Sequence, residues 1–177
     1  MSVAVITGGA SGFGLAIAQH CAARKIDVAL LDYDGERVTQ AATDIASTYS
    51  VRVLAQRVDV GSTEEVDAAA AAVNERFGHV DLLWANVGVQ HFGAVSTIDD
   101  DVWSWILNVN VIGTARTVRA FLPLLRASDQ PRLAVTASAN ALAPSARLGA
   151  YQASKYAVVG LAETLRLELA VDNISVS

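Results

Sequence analysis

Short apolar blocks alternate with amphipathic stretches along the whole chain, and this alternation restricts the fold more than any other feature of the sequence. The apolar blocks predict strands at residues 3–7, 28–31, 51–58, 82–85, 133–137 and from 174 onward. The amphipathic stretches predict helices at 12–24, 35–49, 63–77, 151–171 and, as a pair, across 99–125. Strands and helices that alternate in this way form a parallel sheet with right-handed crossovers and helices on both faces. The predicted fold is therefore α/β, with a doubly wound parallel sheet of six strands.

The composition is that of one globular domain, and it argues against two classes of partner. The chain has 177 residues, of which 53% are hydrophobic, and its mean hydropathy is +0.36. No apolar run reaches the ~18 residues that a membrane helix requires, so no membrane partner is expected. The net charge of -5 at pH 7 offers no attraction to nucleic acid. We predict a single domain over residues 1–177 and, since no cleavable apolar leader opens the chain, a cytoplasmic location.

The few cysteines and histidines do not suggest a metal site. Cys21 is the sole cysteine, which excludes an internal disulfide and a cysteine-based metal cluster. His20, His79 and His91 are scattered without the spacing of metal ligands. We therefore expect no bound metal ion.

Two helix starts carry a capping signal. Ser62 precedes Glu65 by three residues, and Thr97 precedes Asp100 by the same interval. A hydroxyl at the cap with an acceptor three residues later is typical of a helix N-terminus. We therefore expect Ser62 and Thr97 to cap their helices.

A glycine-rich turn follows the first predicted strand and precedes the first predicted helix. It runs from Thr7 to Gly14 as Thr-Gly-Gly-Ala-Ser-Gly-Phe-Gly. Glycine lets such a turn approach a pyrophosphate, and the following helix directs its free N–H groups and positive dipole end at the phosphates. Plain turns also use glycine, but a strand before and a helix after predict dinucleotide binding in a Rossmann-type fold. The residues expected to contact the cofactor here are Gly8, Ser11, Gly12, Phe13 and Gly14.

Asp32 ends the second predicted strand and indicates which dinucleotide is bound. A carboxylate at this position accepts hydrogen bonds from the adenosine ribose hydroxyls and repels a 2′-phosphate. The alternative is a solvated acid in a turn before Asp34 and Gly35. Neither Ser11 nor Tyr33 supplies the positive charge that a 2′-phosphate requires. The predicted cofactor is therefore NAD, with NADP the less favoured.

Tyr151 and Lys155 are spaced to share one face of a predicted helix. An unaided phenol keeps its proton at pH 7, whereas a cation one helical turn away favours the phenolate. The phenol could then take a proton from an alcohol as hydride leaves the carbon, or return it in the reverse direction. A surface tyrosine beside a surface lysine is the alternative, but the surrounding sequence is too apolar for a solvated face.

These two motifs resemble those of the short-chain dehydrogenase/reductase family, and the resemblance extends along the whole chain. The family's Thr-Gly-x-x-x-Gly-x-Gly pattern is met by Thr7, Gly8, Gly12 and Gly14, and its Tyr-x-x-x-Lys pattern by Tyr151 and Lys155. The resemblance implies an oxidoreductase that moves hydride between NAD and a secondary alcohol or ketone. Tyr151 is expected to be the general acid/base, and Lys155 to support it and bind the nicotinamide ribose.

The resemblance also implies roles for residues that the pattern alone does not single out. Ser138, 13 residues before the tyrosine, corresponds to the serine that binds the substrate oxygen. Asn110, in the middle of a long helix, corresponds to an asparagine that helps hold a water linking the lysine to solvent. Asn108 is the alternative candidate for this position. Further cofactor contacts are implied for Asp59, Val60, Asn86 and Gly88.

Two departures from the family pattern leave a second function open. Ala85 stands where the family has asparagine, which removes a side-chain tie across the sheet. The chain also stops at Ser177, within the sixth predicted strand, where family members continue into a substrate loop. A catalytically silent nucleotide-binding domain is thus the alternative. A nucleotide-sugar epimerase or dehydratase is disfavoured by Ser11, where those enzymes want glycine, and by the length of the chain.

An apolar stripe on the last long helix predicts self-association. Leu161, Leu165 and Leu169 recur at four-residue spacing, and Val158 and Val159 widen the stripe. One part of this apolar surface is expected to pack against the sheet. The remaining part resembles the surface through which subunits of the family contact one another. We expect a homodimer or homotetramer that acts on a small alcohol or ketone.

Overall fold

The computed structural model describes residues 1–177 as a three-layer arrangement of helices, sheet and helices. The strands are β1 Val3–Thr7, β2 Asp27–Asp32, β3 Val53–Arg57, β4 Leu82–Ala85, β5 Arg132–Val135 and β6 Ser175–Val176. The α-helices are α1 Gly12–Ala23, α2 Gly35–Tyr49, α3 Thr63–Phe77, α4 Asp100–Leu107, α5 Gly113–Arg126 and α6 Gly149–Glu168. A π-helical turn, Asn108–Ile112, joins α4 to α5, and 3₁₀ turns cover Ala139–Ala141 and Leu169–Asp172.

All strands are parallel, and their order in the sheet is β3-β2-β1-β4-β5-β6. This is the strand order of dinucleotide-binding folds, in which the chain winds outward twice from the centre. The reversal lies between β1 and β4, and ligands bind such sheets at this point, beyond the carboxyl ends of the strands. The predicted doubly wound parallel sheet is confirmed.

The alternation of side chains along the central strands produces two separate cores. Val5 and Leu31 face one core, and Ala4, Ile6 and Leu30 face the other. Successive side chains on a strand point to opposite faces, so a strand covered on both faces needs apolar residues at nearly every position. This requirement explains the unbroken apolar blocks of β1 and β2, all of which are buried except for the last residue of β2.

One of the two capping predictions is confirmed and the other is wrong. The backbone N–H of Glu65 donates to Ser62 Oγ over 3.2 Å, as expected for an N-cap. Asp99, not Thr97, precedes the first residue of α4. The Thr97 hydroxyl instead donates to the carbonyl of Ala94, because a tight turn forms there before the helix begins.

Several predicted boundaries also shift by a few residues. β3 begins at Val53 rather than residue 51, because the backbone N–H of Arg52 donates to the side chain of Asp27. β5 ends at Val135 rather than residue 137, and the two residues that follow line the large crevice described below. None of the helices is both long and apolar enough to cross a membrane.

Phe121 on α5 tests the larger core, since its side chain is fully buried in it. We expect Phe121→Ala to lower the free energy of unfolding by about 3–5 kcal/mol, because it removes buried surface and leaves a cavity. The measurement is urea denaturation followed by circular dichroism. Val171→Ala is the control, since Val171 is 85% exposed and its truncation should change stability by about 0.5 kcal/mol or less. Equal losses for the two variants would contradict this description of the core.

Candidate active site

A deep crevice runs across the carboxyl ends of the strands and consists of two adjoining chambers. The first chamber has a volume of about 700 Å³, and the second has about 420 Å³. They share Asn86, Gly88 and Val89 as lining residues, so they adjoin one another along this segment. Among the predicted site residues, the first chamber also contains Gly8, Ser11, Asp32, Asp59 and Val60, and the second contains Phe13, Ser138, Tyr151 and Lys155.

The glycine-rich turn is shaped so that no side chain would fit at its tightest point. Gly8 and Gly12 have φ values of +68° and +53°, which L residues rarely adopt. A Cβ on Gly14 would lie 1.9 Å from the carbonyl oxygen of Gly8. Ser11 precedes α1, and its side chain caps none of the helix N–H groups. The turn therefore fits a pyrophosphate, which could approach the bare backbone and accept hydrogen bonds from the first turn of α1.

Two backbone N–H groups hold the carboxylate of Asp32 at the edge of the first chamber. Its Oδ2 accepts from the N–H of Ala10 over 2.9 Å, and its Oδ1 accepts from the N–H of Asp34 over 3.1 Å. Both oxygens are thus engaged, yet each keeps a second lone pair for another donor. This geometry connects the end of β2 to the glycine-rich turn and leaves the carboxylate able to accept ribose hydroxyls.

The loop that contains Asp59 and Val60 is fixed by polar contacts that the sequence pattern did not reveal. Glu65 accepts from the N–H of Asp59 over 2.8 Å, and Asp59 Oδ1 accepts from the N–H of Gly61 over 2.7 Å. The guanidinium of Arg116 donates to the carbonyl of Val60. Since Glu65 lies on α3 and Arg116 on α5, two helices hold this wall of the first chamber in place.

A hydrogen-bonded network joins β1, β4 and β5 at the centre of the crevice. The N–H of Asn86 donates to Thr7 Oγ1 over 2.9 Å, and Thr136 Oγ1 donates to Asn86 Oδ1 over 3.0 Å. The indole N–H of Trp84 also donates to Thr136 Oγ1, over 3.0 Å. Although Ala85 carries no polar side chain, these neighbours tie the three strands together. The pattern did not mark Thr136, because it fell inside the predicted strand at 133–137, where a threonine is ordinary.

Lys155 is almost completely buried beside this network. Only 3% of the residue is exposed, and its Nζ donates to the carbonyl of Thr136 over 2.8 Å. Burial lowers the pKa of Lys155, because the charged ammonium loses its hydration. The Nζ lies 5.9 Å from the centroid of the Tyr151 ring. A Cβ on Gly88 would approach the Nζ to 3.1 Å, so the small residue there makes room for the ammonium.

Tyr151 and Ser138 lie with Lys155 around the second chamber. Tyr151 is half-buried on the first turn of α6. Ser138 precedes a 3₁₀ turn, and its Oγ accepts from the N–H of Asn140 over 3.2 Å. This contact uses the serine oxygen as an acceptor, so the hydroxyl hydrogen can point to a ligand. The two hydroxyl-bearing residues and the buried ammonium are thus brought to one place.

Asn110 is buried and committed to contacts with the protein. It lies in the π-helical turn between α4 and α5, which continue one another without a break over residues 100–126, so it is in the middle of a long helix as the resemblance implied. Its Oδ1 accepts from the N–H of Val89 over 2.8 Å, and its Nδ2 donates to the carbonyl of Val89 and to Ser154 Oγ, both over 2.9 Å. Both amide hydrogens are therefore used to join α6 to the segment after β4.

Several residues line the first chamber that the sequence patterns did not assign to it, among them Tyr33, Trp105 and Asn108. Tyr33 follows Asp32, so its position near the site was recognisable from the sequence. That its side chain forms part of the chamber wall was not. Trp105 and Asn108 come from the last turn of α4 and the π-helical turn, whose approach to the crevice depends on helix packing. The structure contains no group of three or more His, Cys, Asp or Glu side chains arranged to hold a metal ion.

Comparison with known proteins agrees with this geometry. The sequence matches the family described as short chain dehydrogenase over residues 2–177. It is 33% identical over 175 residues to the D-beta-hydroxybutyrate dehydrogenase of Rhizobium meliloti (strain 1021). The alignment covers 98% of this chain and 68% of that protein.

Two solved structures share both fold and sequence with the chain. A short chain dehydrogenase/reductase from Burkholderia phymatum in complex with NAD has a TM-score of 0.94 and 36% identity, covering 98% of this chain and 63% of that one. L-sorbose reductase from Gluconobacter frateurii, complexed with NADPH and L-sorbose, has a TM-score of 0.96 and 33% identity, covering 99% and 66%. The chain thus spans about two thirds of the length of these relatives. The family match extends over nearly all of its residues, and the chain therefore belongs to the short-chain dehydrogenase family.

Proposed function

We propose that this protein transfers a hydride between NAD and a secondary alcohol or ketone, with Tyr151 as the general acid/base. The observation that carries the proposal is the meeting of Tyr151, Ser138 and the buried Lys155 in a chamber next to the one that Gly8 of the glycine-rich turn lines. A nicotinamide dinucleotide is the cofactor of the family, and the bare backbone between Gly8 and Gly14 fits its pyrophosphate.

The bound cofactor supplies the hydride acceptor for oxidation or the hydride donor for reduction. The Tyr151 oxygen removes the hydroxyl proton of an alcohol, and in the reverse direction it returns a proton to the carbonyl oxygen. The Ser138 hydroxyl donates a hydrogen bond to the same substrate oxygen and keeps it beside the phenol. A proton transfer at this oxygen prevents a charged alkoxide from building up in a site of low polarity.

Lys155 and Asn110 support this proton transfer from different positions. The ammonium of Lys155 places a positive charge beside the tyrosine in a poorly hydrated setting, where its field is stronger than in water. Lys155 would also bind the nicotinamide ribose. Asn110 fixes the backbone of Val89 and the hydroxyl of Ser154, and we propose that it positions the walls of the proton path.

The preference for NAD over NADP is proposed from Asp32. Its fixed carboxylate would accept the ribose hydroxyls and would repel a 2′-phosphate at the same place. Asp59, Val60, Asn86 and Gly88 would complete the contacts of the dinucleotide along the first chamber.

The wider properties of the protein are also proposed from its sequence and surface. Residues 1–177 form a single catalytic domain, which acts in the cytoplasm as a homodimer or homotetramer. Phe92 and Leu142 are exposed by 61% and 84%, and these side chains, with Val89 in the crevice, favour a substrate with an apolar portion. The second candidate function, nucleotide binding without turnover, is separated from catalysis by the experiment that follows.

Tyr151→Phe tests the acid/base role directly. We expect this variant to lose at least about a hundredfold in kcat, because the phenyl ring can neither take nor return a proton. Its Kd for NAD should stay within about threefold of the wild-type value, since the glycine-rich turn is unchanged. The measurements are NADH absorbance with a panel of secondary alcohols and calorimetric titration with NAD. Tyr156→Phe is the matched control, because Tyr156 is exposed on the same helix and lies outside the crevice.

If the wild type binds NAD but oxidises none of the alcohols, and NADH reduces none of the corresponding ketones, the catalytic proposal is wrong and the silent nucleotide-binding domain is correct.

Asp32→Asn tests the cofactor preference. We expect the wild type to bind NAD at least about tenfold more tightly than NADP, and the variant to reduce this ratio by about tenfold, because a neutral amide does not repel a phosphate. Calorimetric titration with each nucleotide gives the two Kd values. Asp34→Asn is the control, since Asp34 caps α2 and asparagine is an equally good cap. A ratio that is unchanged by Asp32→Asn would refute this role for Asp32.

Lys155→Met tests the cost of burying the ammonium. Because the folded-state pKa of Lys155 lies below its ordinary value of 10.5, the unfolded chain binds more protons between these two values. The stability of the wild type relative to Lys155→Met should therefore rise as the pH increases through the folded-state pKa, and should level off above about 10.5. Urea denaturation of both proteins from pH 7 upward measures this difference. A difference that falls over this range would contradict the assigned desolvation.

A further inference from the structure

Arg57 brings a guanidinium to the edge of the crevice where Asp32 lies. The two residues end neighbouring strands and are paired in register between β2 and β3. Residues paired in this way project to the same face of a sheet. The Arg57 guanidinium also lies over the ring of Tyr33, with its Cζ 5.1 Å from the ring centroid. Because Tyr33 and Asp32 both line the first chamber, this cation is a neighbour of the proposed ribose position.

Arg57 nevertheless forms its ion pair with a carboxylate on α3 and not with Asp32. Its Nη1 donates to both carboxylate oxygens of Glu65, over 3.1 and 3.0 Å. The carboxylate of Glu65 raises the pKa of Arg57. Gly35 lies close to the base of the Arg57 side chain, since a Cβ added to Gly35 would be 3.3 Å from the Arg57 Cβ.

Glu65 is itself held more firmly than an ordinary surface carboxylate. Its Oε2 also accepts from the backbone N–H of Asp59 over 2.8 Å, and this bond lowers the pKa of Glu65. Its place in the first turn of α3 lets the positive end of the helix dipole stabilise the negative charge. Isolated surface ion pairs contribute little because both side chains are mobile. Here a backbone bond fixes one partner, and the other rests on an aromatic ring.

We propose that Glu65 is a second determinant of the preference for NAD over NADP, acting through Arg57. A 2′-phosphate is bound most effectively by an arginine fork. Glu65 engages and neutralises the one guanidinium that is paired in register with Asp32, so it cannot serve a phosphate there. Asp32 disfavours the 2′-phosphate by charge repulsion. Glu65 disfavours it by binding the Arg57 guanidinium, which is then not free to pair with the phosphate. The inference rests on the proposed binding of NAD, and Glu65 is a positioning residue.

The test is the substitution Glu65→Gln in the full chain. Glutamine keeps an oxygen that can accept from the Asp59 N–H, but it lacks the charge that holds Arg57. Titration calorimetry gives the Kd values for NAD and NADP, and the readout is their ratio. A merely structural role of Glu65 would weaken both nucleotides together and leave the ratio unchanged. We expect the preference for NAD to fall by about three- to tenfold, because the guanidinium becomes available to the 2′-phosphate.

Two further variants identify the cause of this change. Glu64→Gln removes the same charge from the same helical turn, but Glu64 contacts Ser62 and not Arg57, so the ratio should stay at its wild-type value. Adding Arg57→Met to Glu65→Gln should restore the wild-type preference, since no guanidinium is then available. The gain in NADP affinity should also shrink in 0.5 M salt, where the Debye length is only about 4 Å.

The outcomes separate this inference from the proposed function. If Glu65→Gln and Glu64→Gln have the same ratio, while the wild type binds NAD and Asp32→Asn lowers its preference, only the inference is refuted. A persistent gain in NADP affinity in the double variant would also refute it. If the wild type binds neither nucleotide or prefers NADP, the cofactor assignment fails, and the inference fails with it.

Discussion

Parallel pairing of β1 with β4 and of β4 with β5 is the constraint on which the candidate site depends. Parallel strands that are paired in register end at the same edge of the sheet, so the residues at and just beyond their carboxyl ends meet in space although they are far apart in sequence. Thr7, Asn86 and Thr136 are such residues, and their hydrogen bonds lock the edge. Asn86, at the centre of this locked edge, lines both chambers of the crevice. A change in the register of any one strand would separate the glycine-rich turn from the tyrosine.

The buried ammonium of Lys155 shows how the proposed function and stability compete at this edge. Removing a charge from water is costly, and the structure offsets this cost only in part, with the carbonyl of Thr136. The same desolvation gives the ammonium its influence on neighbouring groups, because few water molecules remain to screen it. Gly88 permits the close approach, and Asn110 holds the segment after β4 in place. These residues therefore keep a buried charge near the tyrosine. Stability alone would favour an apolar residue at this position.

The site is recognisable from the sequence where it is local, and hidden where it depends on packing. Gly8, Gly12 and Gly14 form one turn, and Tyr151 and Lys155 share one helical face, so spacing alone indicated their purpose. Ser138 and Asn110 required a family resemblance, because a serine after a strand and an asparagine in a helix are common. The π-helical turn around Asn110 has no signature in the sequence. The cap assigned to Thr97 was wrong because a turn before the helix used its hydroxyl.

The sequence by itself determined the fold class and the family, because alternating apolar blocks and local motifs depend only on the spacing of residues along the chain. It also indicated a dinucleotide site at the end of the first strand. Only the tertiary structure decided which charges face one another. Asp32 and Arg57 are neighbours across two strands, yet Arg57 pairs with Glu65 on a helix and stacks on Tyr33. Such choices depend on distances of a few ångströms between separate elements, and strand register and helix packing set those distances.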